Sequence, residues 1–445
     1  MLSKADNEFL TRSGRGTPMG DLLRRFWMPA LLSQELPERD GPPKKIKILG
    51  EDLLAFRTTD GRVGITEPHC PHRGANLYYG RNEECGIRCA FHGWKFDVEG
   101  NCVDLPTSPP ESDYRKSIKL VAYPTREWAD MIWVYMGPSE QMPELPQLEM
   151  GLVPPSQRYV SKKWQDCNWV QSLEGGLDTA HFSFLHAVLT KDESEALAIY
   201  SRSAALGDQS KPDDRVRWIR NDPRPKFSIL GHDAGLVIGG ARRTDGPALY
   251  WRIAQFLMPN HAFAPAAMPG EVYYGQAWVP VSDTNCWIYT YSWRPDRPFT
   301  NAERTQFDGG FGVHAQVDQN YVPLRNLRND YLVDRTQQKS ASFTGITGVS
   351  EQDAAIQDSQ GPIQDRTREH LGPTDLGIVE FRKLVMGAAR ALQRGEQPTA
   401  VGRPSRYAVR SGAWVAAPDK DLAQVMTERF GHRHGYVGLE YGLGE

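Results

Sequence analysis

The sequence predicts an α+β fold, in which a small all-β region precedes a larger region with an antiparallel sheet flanked by helices. Short strand-like runs separated by turn residues occupy roughly residues 27–138. Longer apolar runs between residues 227 and 295 are typical of antiparallel strands. A strongly amphipathic stretch begins near Thr374-Asp375 and ends at Gly395, which predicts a long helix late in the chain.

Composition limits the classes of partner that the chain can bind. The chain has 445 residues, enough for more than one domain, and a formal net charge of −3. It has no basic run, so neither nucleic acid nor an anionic membrane is an expected partner. The N-terminus is polar, and no stretch approaches ~18 uninterrupted apolar residues. We therefore expect a cytoplasmic protein.

The chain is expected to divide into three segments. Thr17 as a cap and Pro18 at the first helical position predict a short helix in an N-terminal segment that packs on the larger region. The Asp60-Gly61 pair is a strong hairpin signal between two of the predicted strands. A proline-rich stretch after residue 137 is typical of a linker. The predicted segments are therefore residues 1–26, 27–138 and 139–445.

The larger region begins with a predicted helix and continues into a predicted sheet. Residues 164–190 favour a helix. Residues 236–243 and 249–257 favour two strands of a hairpin, joined by a turn that contains Asp245-Gly246. Residues 300–345 are polar and weakly periodic, which is typical of an insertion or a lid.

Two short motifs pair a cysteine with a histidine. Cys70-Pro-His72 and Cys89-Ala-Phe-His92 are separated by sixteen residues, and clustered cysteines in a long cytosolic chain are typical of metal ligands. A two-iron cluster with mixed ligation needs two thiolates on one iron and two imidazoles on the other. The alternative is a structural zinc site, although zinc fingers usually pair Cys with Cys and His with His. The nearby Cys85 and Cys102 do not fit the pairing and are expected to be small buried residues.

A second motif places two histidines near an acid. His181 and His186 are five residues apart, so on a regular helix they would point about 140° away from each other. Both can reach one metal ion only if the helix ends or bulges between them. Asp178 precedes His181 by three residues and is placed to orient its imidazole. The alternative is a pair of ordinary core or surface histidines.

Together, in this order and at this separation, the two motifs resemble the Rieske non-heme iron aromatic-ring-hydroxylating oxygenases. The resemblance is closest to the phthalate dioxygenase-like branch, which also includes O-demethylases, and it extends along most of the chain. It implies a [2Fe-2S] Rieske cluster on the four cysteine and histidine ligands, and a mononuclear Fe(II) on His181, His186 and one carboxylate. The family pattern places that carboxylate at Asp353. Asp358 is the second candidate for this ligand. The alternative role of Asp358, and also of Asp365, is that of a solvated acid on a helix face.

The resemblance also implies how electrons travel. The sequence shows no flavin or nicotinamide motif, so a separate NAD(P)H-dependent reductase, with or without a ferredoxin, is expected to reduce the cluster. A homotrimer or a stacked homohexamer is expected, in which Asp178 bridges the iron ligand His181 and His92 of the partner subunit. Asn168 and Gln171 are expected to line the iron pocket, with a helix cap or a surface amide as the alternative.

The implied reaction is dihydroxylation of an aromatic ring that carries a carboxylate, with monohydroxylation or oxidative O-demethylation as alternatives. An arginine is the natural partner of a carboxylate, and Arg243 and Arg252 are the candidates, with structural arginines as the alternative. Arg242 alternates to the face opposite Arg243. Arg215 and Arg217 are weaker candidates.

Two other classes of protein remain open on the sequence alone. One is an electron-transfer protein with the cluster but without the mononuclear iron, and the other is a binding protein with a structural zinc. Metal analysis separates them, since three irons per chain indicate the oxygenase, two indicate the electron carrier, and zinc excludes both. His432 and His434, near the C-terminus, are expected to be solvated residues without a metal.

Overall fold

The structure is a computed structural model, and it describes residues 1–109, 113–189, 214–265 and 272–430. His432 and His434 lie outside the described residues. Within those residues, no helix combines the length and the apolar character that crossing a bilayer requires. The helices are α1 (Lys4–Thr11), α2 (Pro18–Leu23), α3 (Glu149–Leu152), α4 (Trp169–Leu177), α5 (Asp214–Asn221), α6 (Asn301–Asp308), α7 (Arg335–Ser340), α8 (Val349–Ser359), α9 (Leu376–Gln393) and α10 (Leu422–Phe430).

After the helices α1 and α2, the chain forms a region of β-strands between Trp27 and Tyr135, as predicted for residues 27–138. It forms three small antiparallel sheets with the orders β1-β11-β10, β2-β3-β4-β9 and β5-β6-β7-β8. The hairpin at Asp60-Gly61 is present, and Gly61 has the positive φ of +89° that favours glycine there. The strands are β1 (Trp27–Leu32), β2 (Lys44–Ile48), β3 (Glu51–Arg57), β4 (Val63–Thr66), β5 (Arg81–Glu83), β6 (Gly86–Arg88), β7 (Lys95–Phe96), β8 (Cys102–Asp104), β9 (Ala122–Tyr123), β10 (Thr125–Trp128) and β11 (Met131–Tyr135).

The later part of the chain is built on one large antiparallel sheet. Its order is β12-β18-β17-β16-β15-β14-β13, and β19 also pairs with β15. The predicted hairpin is confirmed, with Arg243 opposite Leu249 at its turn. The strands are β12 (Arg158–Gln165), β13 (Lys226–His232), β14 (Gly235–Arg243), β15 (Leu249–Leu257), β16 (His261–Phe263), β17 (Tyr273–Ser282), β18 (Asn285–Trp293) and β19 (Gly412–Ala416). The α+β fold class is therefore confirmed.

Two of the predicted helices match the structure to different degrees. The late amphipathic helix is present as α9, and its apolar side is buried. The helix predicted over residues 164–190 is wrong in length, because α4 covers only Trp169–Leu177. Asn168 caps its start and Asp178 caps its end, so the helix stops at Leu177, well before residue 190. The polar stretch predicted as an insertion contains the short helices α6 and α7.

Part of the β region shares one hydrophobic core with the large sheet, whereas Cys70, Cys89 and the side chains around them form a separate core. Trp133 of β11 and Trp169 of α4 belong to the same cluster of buried side chains as Ile288 of β18. The N–H groups of Leu49 and Gly50, after β2, donate to carbonyls of β17 at 2.8 and 3.0 Å. The N-terminal helices pack mainly on α9. The segment boundaries at residues 26 and 138 stay a prediction.

A buried ion pair joins the β region to the large sheet. Lys162 of β12 forms a salt bridge with Glu35, and each side chain is only 3% exposed. The Lys162 ammonium lies 4.4 Å from the centroid of the Trp287 ring and 4.5 Å from that of Tyr321. Burial lowers the pKa of Lys162 to about 8 even though Glu35 favours the charged form. The ammonium therefore depends on its partners to stay charged in the interior.

We expect Lys162→Met to lower the free energy of unfolding by about 2 kcal/mol, because the buried Glu35 carboxylate then keeps only the more exposed Lys44 as a cation. The matched control is Lys47→Met, which removes a more exposed ion pair to Asp52 and should cost less than ~0.5 kcal/mol. Thermal melts of the purified proteins measure both changes. Equal shifts in the two variants would contradict a stabilising role for the buried pair.

Candidate metal centres

The two Cys/His motifs lie on loops with the same backbone hydrogen bonds. In each loop the cysteine N–H donates to the carbonyl five residues later, and the cysteine carbonyl accepts from a glycine four residues later, all at 2.8 to 3.0 Å. The two glycines have φ of +73° and +76°, a conformation that favours glycine. The bonds join Cys70 to Ala75 and Gly74, and Cys89 to Trp94 and Gly93. The matching loops direct two similar pairs of ligands toward each other.

The four side chains converge between these loops. The thiols of Cys70 and Cys89 are buried, and burial, with the neighbouring Cys89, raises the pKa of Cys70 to about 11. The imidazole centroids of His72 and His92 are 4.4 Å apart. The indole of Trp94 stacks on His72 at 4.3 Å with an interplanar angle of 9°. A metal cluster would supply the positive charge that lets both thiols ionise.

One buried atom of this group has no partner. Nδ1 of His92 is inaccessible to solvent and makes no hydrogen bond to any residue that the structure describes. Buried polar atoms are nearly always hydrogen-bonded, so a buried imidazole nitrogen without a partner is expected of a metal ligand in a structure that contains no metal. Two thiols and two imidazoles fit a [2Fe-2S] cluster with mixed ligation.

The other two cysteines of this region differ from each other. Cys102 is buried, and burial raises the pKa of its thiol, as expected of a small core residue. Cys85 is only half-buried and lies in a turn with φ of +61°. The expectation that both are buried is therefore wrong for Cys85.

The second group of ligands forms where α4 ends. After Asp178 the chain makes a short 3-10 turn over His181–Ser183, which bends His186 back toward His181. Their Nε2 atoms are 3.0 Å apart. Oδ1 of Asp353, on α8, lies 3.5 Å from Nε2 of His181 and 3.3 Å from Nε2 of His186. The required break in the helix is thus present, and it brings the three side chains together.

The other nitrogen of each imidazole has an acceptor. Nδ1 of His181 faces Oδ2 of Asp178 at 3.4 Å, and Nδ1 of His186 faces Oε1 of Gln352 at 2.6 Å. Each neutral ring therefore carries its proton on Nδ1, which leaves two Nε2 lone pairs directed at each other. That arrangement is repulsive unless a cation lies between them. Two metal–nitrogen bonds of about 2.1 Å that meet at a right angle span about 3.0 Å, which matches the observed separation.

The carboxylates of this group are held in the charged form. Burial would raise the pKa of Asp353, but the imidazoles of His186 and His181 outweigh burial and lower it. Burial likewise opposes ionisation of Asp178, and the hydrogen bond with His181, together with the Ala180 N–H at 2.6 Å, lowers its pKa. Two imidazoles and a carboxylate on one side of a site are the donor set of many non-heme iron enzymes.

Asn168 and Gln171 have structural partners. Oδ1 of Asn168 caps α4 by accepting from the Val170 N–H at 3.0 Å. All the remaining amide hydrogen bonds go to backbone atoms: Asn168 donates to Thr11 and Asp283, and Gln171 donates to Gln357 and Gly361 and accepts from Gln364. The helix-cap alternative therefore describes Asn168, and the expected role of the two amides in lining the iron pocket finds no support in these contacts.

The runner-up acid is neither a member of the triad nor solvated. Asp358 is buried, accepts from Nε2 of Gln165 at 2.5 Å and is hydrogen-bonded by the Tyr331 hydroxyl. Burial raises its pKa. The solvated alternative is wrong for Asp358, because its oxygens hold α8 against β12. Asp365 is exposed, as that alternative expects, although it does not lie on a helix.

The two candidate arginines lie in different environments. Arg243 lies on the exposed side of β14, and its guanidinium pairs with Asp222. Arg252 lies opposite Gly240, so it shares a face with Arg242 and not with Arg243. Both Arg242 and Arg252 are almost fully buried. Among the weaker candidates, Arg217 pairs with Asp214 and Asp245, and Arg215 is buried.

The buried arginine pair has spare donors beside the triad. Arg242 donates to the Thr179 carbonyl at 2.6 Å, two residues before His181. The guanidinium carbon of Arg252 lies 4.0 Å from the centroid of the Phe182 ring. Two guanidinium nitrogens of each arginine are buried and have no hydrogen-bond partner among the described residues. The sequence missed Arg242 and Phe182, and it gave no role to Gln352, although Gln352 is adjacent to Asp353.

Comparisons with known proteins identify the family of each part of the chain. Residues 26–124 match the family model described as "Rieske [2Fe-2S] domain", and residues 134–416 match "LigXa C-terminal domain like". The chain is 36% identical to the 3-chlorobenzoate-3,4-dioxygenase oxygenase subunit of Comamonas testosteroni, over 95% of this chain and 98% of that protein. It is 37% identical to the phthalate 4,5-dioxygenase oxygenase subunit of Pseudomonas putida, over 91% of each. A solved structure of Pseudomonas putida CBB5 NdmA has the same fold, with a TM-score of 0.57 and 17% identity over 91% of this chain and 99% of that chain.

Proposed function

This chain belongs to the Rieske non-heme iron oxygenases, in the branch of the phthalate and 3-chlorobenzoate dioxygenase oxygenase subunits, and we propose that it dihydroxylates the ring of an aromatic carboxylate. The observation that carries the substrate class is the buried pair Arg242 and Arg252 beside the metal-binding triad. Both relatives are named after substrates that carry carboxylates.

The enzyme uses a Rieske [2Fe-2S] cluster and a mononuclear iron. We assign the cluster to Cys70, His72, Cys89 and His92, and the iron to His181, His186 and Asp353. The iron supplies the activation of dioxygen, with electrons that arrive through the cluster. Asp178 and Gln352 hold the two imidazoles with Nε2 toward the iron, so the chain fixes the ligand geometry before the metal binds.

The arginine pair would bind the carboxylate of the substrate. A buried guanidinium nitrogen without an acceptor is costly, and an incoming carboxylate removes that cost by accepting from it. The Phe182 ring lies against both Arg252 and the imidazole of His186, so it is placed to contact the aromatic ring of the substrate. Anchoring of the carboxylate would hold one edge of the ring toward the iron, which sets the position of hydroxylation.

We expect Arg252→Met to raise the KM for an aromatic carboxylate by about 10- to 200-fold, a loss of ~1.5–3 kcal/mol that is typical of a hydrogen bond to a charged group. Steady-state oxygen uptake at varied substrate measures this change. Arg243→Met is the matched control, since that arginine is exposed and pairs with Asp222. An unchanged KM in the first variant, or an equal rise in both, would contradict carboxylate binding by Arg252.

The assembly proposed here is a homotrimer or a stacked homohexamer. In it, Asp178 links His181 to the cluster ligand His92 of the partner subunit. Support comes from Asp178 itself, whose side chain is about 25% exposed although it contacts His181. A carboxylate has room for about four hydrogen bonds, so Asp178 can accept from a second imidazole. Electrons would reach the cluster from a separate NAD(P)H-dependent reductase, with or without a ferredoxin.

Oxidative O-demethylation or monohydroxylation of a methoxylated aromatic acid is the alternative reaction, because the same iron ligands support it. Oxygen uptake coupled to NADH oxidation, with a surrogate reductase and a panel of benzoates, phthalates and methoxybenzoates, tests the choice. A cis-dihydrodiol product supports dihydroxylation, and formaldehyde supports O-demethylation. Two irons per chain with no oxygen uptake would support an electron carrier, and zinc in place of iron would refute both redox functions.

A further inference from the structure

Gln352 connects a proposed iron ligand to a neighbouring loop. Its Oε1 lies 2.6 Å from Nδ1 of His186, and its Nε2 donates to the Ile346 carbonyl at 2.7 Å. The side chain is 3% exposed. An amide has a fixed donor end and a fixed acceptor end, so the bond to a carbonyl determines which end faces the imidazole. The oxygen must face His186, and His186 must therefore carry its proton on Nδ1.

The loop that accepts the hydrogen bond from Gln352 is itself bonded to the segment after His186. The N–H of Leu189 donates to the Ala341 carbonyl at 2.8 Å, and the N–H of Phe343 donates to the Ala187 carbonyl at 2.9 Å. These bonds fix residues 341–343 beside the histidine by backbone contacts alone. Gln352 adds a side-chain link from the same loop, through Ile346, to the imidazole. The histidine is therefore held both along the chain and at its ring.

The two histidines are oriented by different groups. His181 faces the charged, partly exposed Asp178, whereas His186 faces the neutral, buried Gln352. A carboxylate makes an imidazole a stronger donor to a metal than an amide does, since it stabilises positive charge on the ring. The Gln352 amide instead fixes the orientation of the His186 ring without adding another negative charge beside Asp353. The two ligands thus have unequal roles within one site.

We propose that Gln352 is a positioning residue, which fixes the ring orientation and the tautomer of His186 for iron binding and joins that ligand to the loop at residues 341–346. The inference rests on the proposed iron site. It assigns no contact between Gln352 and the substrate or the iron.

Three variants separate this role from simple packing. Gln352→Leu removes both hydrogen bonds while keeping a similar side-chain volume. Gln352→Glu keeps an acceptor for Nδ1 of His186 but loses the donor to Ile346. Gln357→Leu is the matched control, because Gln357 lies on the same helix α8, is buried, and accepts from the Ser172 hydroxyl at 3.0 Å without contacting an imidazole.

The measured quantity is the affinity for Fe(II). A chelator first removes the mononuclear iron, and Fe(II) is then added back in the presence of nitric oxide, whose iron complex gives an electron paramagnetic resonance signal. The cluster is kept oxidised, so that it contributes no signal. We expect Gln352→Leu to bind Fe(II) about 10- to 100-fold more weakly, with a broadened signal, which is the usual effect of removing a partner of a metal-ligating histidine. Gln352→Glu should recover most of that affinity, and Gln357→Leu should bind as the wild type does. Thermal melts and the cluster absorption verify that each variant folds.

Each other outcome overturns the inference. Wild-type affinity and signal in Gln352→Leu would show that His186 needs no orienting partner. An equal loss in Gln357→Leu would assign the effect to packing of α8, and an equal loss in Gln352→Glu would show that the acceptor does not matter. If the wild-type protein itself binds no Fe(II) after the chelator step, the proposed iron site fails, and that result is distinct from the others.

Discussion

Asp353→Ala should leave the cluster intact and lower the rate of substrate hydroxylation by more than ~100-fold. Removal of a residue that only hydrogen-bonds to a metal ligand already lowers metal affinity or activity by about 10- to 100-fold, and Asp353 is itself a proposed ligand. The carboxylate supplies the only negative charge within 3.5 Å of the two Nε2 atoms among the described residues. Without it, two neutral imidazoles remain, and they hold a divalent ion weakly. Iron analysis should fall from three to two irons per chain, with an unchanged cluster spectrum.

The control for that variant is Asp358→Asn on the same helix. Asp358 is buried and bonded to Gln165 and Tyr331, so its loss should lower thermal stability but leave three irons per chain. The pair of variants also decides between the two acids as the ligand. If Asp353→Ala retained three irons per chain and Asp358→Asn retained only two, Asp358 would be the ligand in place of Asp353.

Asp178→Asn should retain both metals and still lose most turnover, about 100-fold. Asparagine keeps the oxygen that accepts from the Ala180 N–H, so the turn after α4 is preserved. It loses the negative charge and one acceptor oxygen, and so cannot accept from His181 and from a second imidazole together. The step expected to slow is the passage of an electron from the reduced cluster to the iron.

Single-turnover experiments isolate that step. The cluster is reduced in advance, oxygen and substrate are added, and reoxidation of the cluster is followed by absorption. Reoxidation should slow in Asp178→Asn, while reduction of the cluster by the surrogate reductase stays unchanged. Asp222→Asn removes a carboxylate that pairs with Arg243 and serves as the control. Wild-type turnover in Asp178→Asn would refute the proposed bridge.

The cluster motif could be predicted because its ligands are close in sequence. Each cysteine and its histidine lie within three residues on one loop, so local spacing is enough to pair them. Asp353 is more than 160 residues from His186, and no local pattern connects them, so the family resemblance alone suggested it. The sequence assigned no role to Gln352 for the same reason, because only the fold brings His186 and the Ile346 carbonyl to its side chain.

The arginines show where alternation along a strand fails. The two-residue repeat of a β-strand correctly placed Arg242 and Arg243 on opposite faces of the sheet. It could not show which of the two faces is buried. Residues 235–242 of β14 are all buried, so no polar face marks the solvent side. The predicted helix over residues 164–190 failed in a similar way, because its apolar run continues beyond the residue where Asp178 ends the helix.

The shared core and the Lys162–Glu35 pair carry a consequence for the speed of electron delivery. Some redox proteins move a tethered domain between a docking position and a delivery position, and their rates then depend on how fast that domain rotates. Here the turn between β2 and β3 is hydrogen-bonded to β17, and a buried charge pair joins the same two parts of the protein. These contacts would hold the β region, and with it a bound cluster, in a fixed place relative to the large sheet. Electron delivery would then depend on tunnelling distance and driving force, without the rotation of a domain.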